Sequence, residues 1–110
     1  MNRSKQKGTA AETAVARFLQ KWWPSVERRT LTGSADKGDI AGLTGVVVEV
    51  KNQKTINLAA WCDELTAEMI NANCPVGFLV VKRRGTTDPA QWYWVTDGNT
   101  AVKLLREWGA

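Results

Sequence analysis

Asp39, Glu49 and Lys51 are the residues whose types and spacing could do chemistry together. Val46 to Val50 is a β-branched run, which favours a buried strand, and it turns charged at its end. Side chains alternate across a strand, so Glu49 and Lys51 project from one face while Val50 faces the core. A carboxylate there and another on the preceding strand can hold a magnesium ion, which prefers oxygen ligands and keeps several waters. Manganese is a workable substitute. The backbone carbonyl of Val50 lies between the two active side chains and can add a third oxygen. The chemistry such a set supports is phosphodiester hydrolysis. That reaction needs an activated water, neutralised charge on a phosphorane-like transition state and help for the leaving oxygen, all of which a bound metal ion can supply. Lys51 can hold and polarise the attacking water, or stabilise the developing negative charge. The triplet Glu49-Val50-Lys51 alone is commonplace, since alternating charges on strands are usually surface pairs. Asp39, the apolar strand, Glu12 in an N-terminal helix and the basic chain together give it weight.

The elements that position these groups are constrained by register. Asp39–Leu43 and Val46–Lys51 read as a central hairpin around a Thr44-Gly45 turn. A two-residue turn would put Asp39 opposite Val50, on the wrong face for Glu49 and Lys51. A three-residue loop, a bulge, or an Asp39 lying just before the regular ladder is therefore expected.

The composition narrows the function. A chain of 110 residues with 44% hydrophobic content fits a single domain, 1–110, with one core. So short a chain buries a limited fraction of its surface, and a dimer would add stability. The net charge of +4 and pI near 9.3 are compatible with nucleic acid. The bias is strongest at the start, where Arg3, Lys5, Lys7, Arg17, Lys21, Arg28 and Arg29 face only Glu12 and Glu27. Histidine is absent, which removes histidine triads, histidine-ligated zinc and histidine acid–base catalysis. Cys62 and Cys74 make neither a zinc site nor a disulfide framework, in keeping with a reducing cytoplasm. With no apolar run of spanning length and no signal-peptide core, a soluble cytoplasmic protein without a membrane partner is expected.

Along the chain, Thr9 can cap a helix running to about Trp22 and ended by Pro24, with Ala11, Ala14, Val15, Phe18, Leu19 and Trp22 as its apolar stripe. Glu12 has capping-box spacing from Thr9, and it can also reach the catalytic edge as a third carboxylate. Val26–Leu31 reads as a strand, and Thr32–Gly38 as a loop that is either a connector or functional. Asn57 can cap a helix through about Ala72, burying Leu58, Trp61, Leu65, Met69 and Ala72. Val76–Lys82 reads as a central strand covered on both faces. Lys82, Arg83 and Arg84 then form a solvated turn or a phosphate contact. Gln91–Thr96 reads as a strand whose Trp92 and Trp94 cover the core, form an interface or stack on bases. Thr100 can cap a last helix with Ala101, Leu104, Leu105 and Trp108 on one side. This order predicts an α/β fold, a mixed sheet flanked by helices.

Asp39…Glu49-Val50-Lys51 resembles the PD-(D/E)xK nuclease motif, with Gly38 where the motif's proline would stand. Lys7-Gly8-Thr9-Ala10-Ala11-Glu12 and Thr32-Gly33-Ser34 are similar to the N-terminal helix start and mobile Gly-Ser loop of archaeal-type Holliday junction resolvases. The resemblance covers the first half of the chain with specific motifs. It implies a restriction-endonuclease-like fold and a magnesium-dependent, homodimeric endodeoxyribonuclease that resolves four-way DNA junctions by paired nicks. It further implies Glu12, Asp39 and Glu49 as active-site acids, with Asp39 and Glu49 on metal, Lys51 as catalytic lysine and Ser34 as accessory. Lys5, Lys7, Arg28, Arg29, Gln53, Arg83 and Arg84 are the candidate DNA contacts. Gln53 is expected to share the Lys51 face. The alternatives are a nuclease of the same superfamily acting on flaps, mismatches or foreign duplex, and a non-catalytic DNA-binding module.

Overall fold

The order helix, three strands, helix, two strands, helix is found in the computed structural model, which describes residues 3–30 and 35–110. The elements are α1 (Arg3–Gln20), β1 (Glu27–Arg28), β2 (Ile40–Ala41), β3 (Val46–Lys51), α2 (Leu58–Ala72), β4 (Val76–Val81), β5 (Tyr93–Val95) and α3 (Gly98–Trp108), with a 3-10 turn at Pro89–Gln91. The fold is α/β with mixed strand pairing.

β3 and β4 run parallel, from Val46 opposite Val76 to Lys51 opposite Val81, with α2 as the crossover. β5 adds antiparallel to β4, so β4 is the central strand. Both faces of β3 are covered. Val48 and Val50 join Val15, Leu19, Val26, Ile40, Val80 and Trp92 on the α1 side. Val47 joins Trp61, Leu65, Leu79 and Val81 on the α2 side. By alternation Glu49 and Lys51 belong to the α2 side as well, so their face is roofed by that helix.

The expected hairpin is not a ladder. β2 pairs antiparallel with β1, Arg28 opposite Ile40, and these two strands form a separate ribbon. Gly42 shows why the chain leaves β3: at φ +98° its backbone sits against Ser25 and Val26, 2.8 Å from the Ser25 oxygen at the position a Cβ would take. Only a residue without a side chain can make that approach. One backbone bond carries the connection instead, from the Asp39 amide to the Val48 carbonyl at 2.9 Å. Asp39 thus lies just before the regular strand, the third of the arrangements the register allowed.

Several boundaries differ from the sequence reading. α1 starts at Arg3, so Thr9 is inside the helix and Thr9–Glu12 is not a capping box. It ends at Gln20, which leaves Trp22 outside the buried stripe and 59% exposed. Asp97 caps α3 through a 2.7 Å bond from the Thr100 amide, and Thr100 is a buried first-turn residue. The α3 side expected to pack inward is largely uncovered, with Leu105 at 55% and Trp108 at 87% exposure. Leu58 is exposed at the start of α2, whereas Trp61 and Leu65 are buried as the stripe requires. Trp92 and Trp94 both belong to the α1-side core. No helix among the described residues is long and apolar enough to cross a membrane.

Candidate metal centre and basic cleft

Val50 shows how the site is built. In a parallel pair, alternate residues turn their peptide groups to the partner strand, and the Lys51 carbonyl accepts from the Lys82 amide on that side at 2.9 Å. Val48 and Val50 therefore turn theirs to the opposite edge. There the Val50 amide donates to Asp39 Oδ2 at 2.7 Å. The Val50 carbonyl points to the same edge by strand geometry, where it is placed to serve as an oxygen ligand.

Four carboxyl groups meet in a row across this edge. Glu12 from α1 contacts Asp39, Asp39 contacts Glu49, and Glu49 contacts Glu68 from α2. Burial is the largest cause in each case and raises all four, since a charged carboxylate loses its water there. Glu12 rises from 4.5 to about 7, by burial and then by its contact with Asp39, against the pull of Arg28. Asp39 rises from 3.8 to about 8 and Glu49 from 4.5 to about 8, the former by burial and then by Glu49, the latter by burial and Glu68. Glu68 rises to about 7. A row of this kind must hold protons or cations at neutral pH.

Among the described residues, Arg28 and Lys51 reach it. Arg28 Nε lies 3.5 Å from Glu12, with the arginine side chain still partly exposed. Lys51 Nζ lies 3.8 Å from Glu49 Oε2 and 2.7 Å from Glu64 Oε2, above the Trp61 ring. Burial pulls the Lys51 ammonium down, but Glu64, Glu49 and Asp39 outweigh it, and the net direction is up.

Glu68, like Glu64 and Asp36, is a site residue that sequence reasoning missed. It is 3% exposed, and neither of its oxygens has a hydrogen-bond donor among the described residues. Its signal was its position: it follows Leu65 by three on the buried stripe of α2, where an acid is costly without a partner. Asp36, Glu49 and Glu68 can each offer an oxygen within 4.8 Å of the others, close enough to hold a metal ion. The donors are all oxygen, which fits a hard divalent cation such as magnesium or manganese.

Beyond Lys51 a cleft of about 560 Å³ opens, lined by Lys7, Gln53, Lys54, Lys82, Arg83 and Arg84 among others. Two of the basic heads lie over aromatic rings at the start of β5: Lys82 over Trp92, just before the strand, at 5.9 Å, and Arg83 over Tyr93 at 5.8 Å. β3 ends at Lys51, so Gln53 does not continue its alternation and lines this cleft instead. Lys7 is tethered there by a 3.4 Å bond from the Asn52 amide group to its carbonyl. Arg29 is half-buried, its Nε has no hydrogen-bond partner among the described residues, and it is not among the residues that line the cleft. Ser34 and the Thr32-Gly33-Ser34 loop lie outside the described residues, as does the side chain of Lys5.

Comparison with protein-family models, with curated proteins and with solved structures gave no match for this chain.

Proposed function

We propose that the protein is a metal-dependent endodeoxyribonuclease with a restriction-endonuclease-like fold, acting on four-way DNA junctions. The observation that carries the nuclease reading is the meeting of Asp39, which precedes β2, with Glu49 and Lys51 of β3: Asp39 is held on the Val50 amide, Lys51 Nζ lies 3.8 Å from Glu49, and the residues that follow Lys51 line the basic cleft. A pure binding module has no use for a row of carboxylates that repels phosphate.

In this reading the cleft residues track the DNA backbone by charge, which fixes register without reading sequence. Asp39, Glu49 and the Val50 carbonyl hold magnesium, which when bound supplies an activated water and neutralises charge on the scissile phosphate. Glu12 buttresses Asp39, and Arg28 holds Glu12. Lys51 orients the attacking water and stabilises the negative charge that develops on the phosphate oxygens. Glu64 fixes its ammonium in the charged form. The choice of a four-way junction rests on the resemblance of Lys7–Glu12 and Thr32–Ser34 to resolvases. Paired nicks require two sites, hence a homodimer, and the uncovered apolar side of α3 supports self-association.

The test is cleavage of a labelled four-way junction with and without magnesium, beside linear duplex and flap substrates of the same sequence. Symmetric magnesium-dependent nicks in the junction, absent in Asp39→Asn, are expected. Cleavage of flap or duplex alone keeps the site and overturns the junction assignment. No cleavage of any substrate overturns the nuclease reading.

A further inference from the structure

We propose that Asp36, Glu49 and Glu68 form a second divalent-cation site, one that shares Glu49 with the Asp39 seat and ties α2 to the segment carrying Asp39. The two oxygens of Glu68 are buried, at 3% residue exposure, with no donor within reach among the described residues. An orphaned buried carboxylate is costly, and this one is aimed at another buried carboxylate, Glu49, at 5% exposure. A shared proton or a cation resolves that contact.

The geometry favours a cation. Asp36 brings a third oxygen, and the three oxygens lie within 4.8 Å of one another. Oxygens up to roughly 4.6–5.2 Å apart can share one calcium-sized ion, and a small closure admits manganese or magnesium. Asp36 is also fixed in place for this task. Its Oδ1 accepts from the Gly38 amide at 2.9 Å, and its carbonyl accepts from Asn71 of α2 at 2.9 Å. Glu64, Glu68 and Asn71 thus form one polar seam along α2, meeting Lys51, Glu49 and Asp36 in turn. A cation bound among Asp36, Glu49 and Glu68 pins the chain two residues before Gly38 and three before Asp39. It is a positioning site: it sets where Asp39 stands relative to β3.

The inference rests on the reading of Asp39 and Glu49 as a metal seat, but not on DNA cleavage. Its test is manganese stoichiometry on the full chain by electron paramagnetic resonance of free Mn²⁺, without DNA. The wild type is expected to bind two Mn²⁺ per chain, Glu68→Gln and Asp36→Asn one each, Asp39→Asn one, and Glu49→Gln none with comparable affinity. Both Asp36→Asn and Glu68→Gln preserve shape, and the glutamine amide can donate to Glu49, so metal-free Glu68→Gln should melt no lower than wild type. A single Mn²⁺ on the wild type, or two retained in both Asp36→Asn and Glu68→Gln, overturns the second site. A nuclease with one Mn²⁺ keeps the proposed function and rejects this site; two Mn²⁺ without cleavage does the reverse.

Discussion

Asp39 Oδ2 accepts the Val50 amide at 2.7 Å, so the aspartate is fixed by the backbone of the strand that carries Glu49 and Lys51. This separates its charge from its structural role. Asparagine keeps an oxygen for the Val50 amide and loses the charge. Asp39→Asn should therefore fold like wild type, bind DNA at least as tightly and lose at least about 100-fold in cleavage rate. Asp39→Ala should in addition lose roughly 1–3 kcal/mol of stability, because the Val50 amide is left without its acceptor. Chemical denaturation of both variants beside cleavage assays separates the two roles. Equal activity in Asp39→Asn and wild type would remove Asp39 from the site.

The carboxyl row makes stability depend on pH in the direction opposite to a salt-bridged acid. Glu12, Asp39, Glu49 and Glu68 hold their protons up to about 7–8 in the fold, whereas unfolded carboxyls ionise near 4. Between those limits the native state binds more protons, so stability falls as pH rises. The contribution is complete below the unfolded values and is lost on passing through the folded ones. Metal-free protein should melt at least about 4–8 °C lower at pH 8 than at pH 5, the equivalent of roughly 1 kcal/mol in a chain of this size. Manganese should raise the melting temperature at pH 8 much more than at pH 5, where it competes with protons. Calorimetry at the two pH values, with and without manganese, checks both signs.

How much of this was legible beforehand differs by element. β3 and β4 were readable because buried parallel strands are written as continuous β-branched runs, and α2 because Asn57 caps it and Trp61 and Leu65 repeat at helical spacing. The β2–β3 relation was not, because it turns on the tight approach of Gly42 to Ser25, a tertiary contact no local pattern encodes. Glu12, Asp39, Glu49 and Lys51 could be picked out as residue types at suggestive spacings. Glu64 could not, because alternation says which face Glu49 takes but not that α2 covers it; Glu68 carried only the weaker signal of an acid on the buried stripe of α2. α3 differs again: its apolar side is evident in the sequence, but amphipathicity alone does not say what the side packs on.

Lys51 is held by an acid that is itself half in water: Glu64 is 51% exposed at its side chain and 2.7 Å away. Removing that acid should leave the fold within about 1 kcal/mol of wild type, as for other exposed pairs. It should also lower the Lys51 pKa, since Glu64 is the main influence holding it up against burial. The alkaline limb of the cleavage profile of Glu64→Gln is therefore expected at lower pH than in wild type. A pH–rate profile that does not move would show that Lys51 charge is not what limits cleavage there.

Arg83 and Arg84 supply two of the cations of the cleft and stand apart from the carboxyl row. Arg83→Ala and Arg84→Ala should weaken DNA binding about equally for every sequence tested. Each should lower the slope of log affinity against log salt by about 0.9, the signature of one lost phosphate contact. Manganese binding should be unchanged. A loss of affinity with an unaltered salt slope would mean that these arginines act on the fold and not on phosphates.

Gly38, at the position where the motif resembled in the sequence carries proline, adopts a backbone that proline cannot. Its φ is +94°, a conformation closed to proline and strained for every other residue with a side chain. A Cβ there would also come 2.8 Å from Val47 Cγ1 and 3.0 Å from the Val48 oxygen, both parts of β3. The chain thus enters the site by pressing bare backbone onto the strand, two residues after Asp36 and one before Asp39. Gly38→Ala should lose at least about 1–3 kcal/mol from backbone strain, with the contact adding to it. Because the displaced segment carries Asp39, the variant should lose metal affinity as well as stability, and Gly38→Pro should fare worse despite restoring the motif's residue. Urea denaturation and manganese titration of the two variants test this; a Gly38→Pro protein as stable as wild type would show that the segment can enter the site by another backbone path.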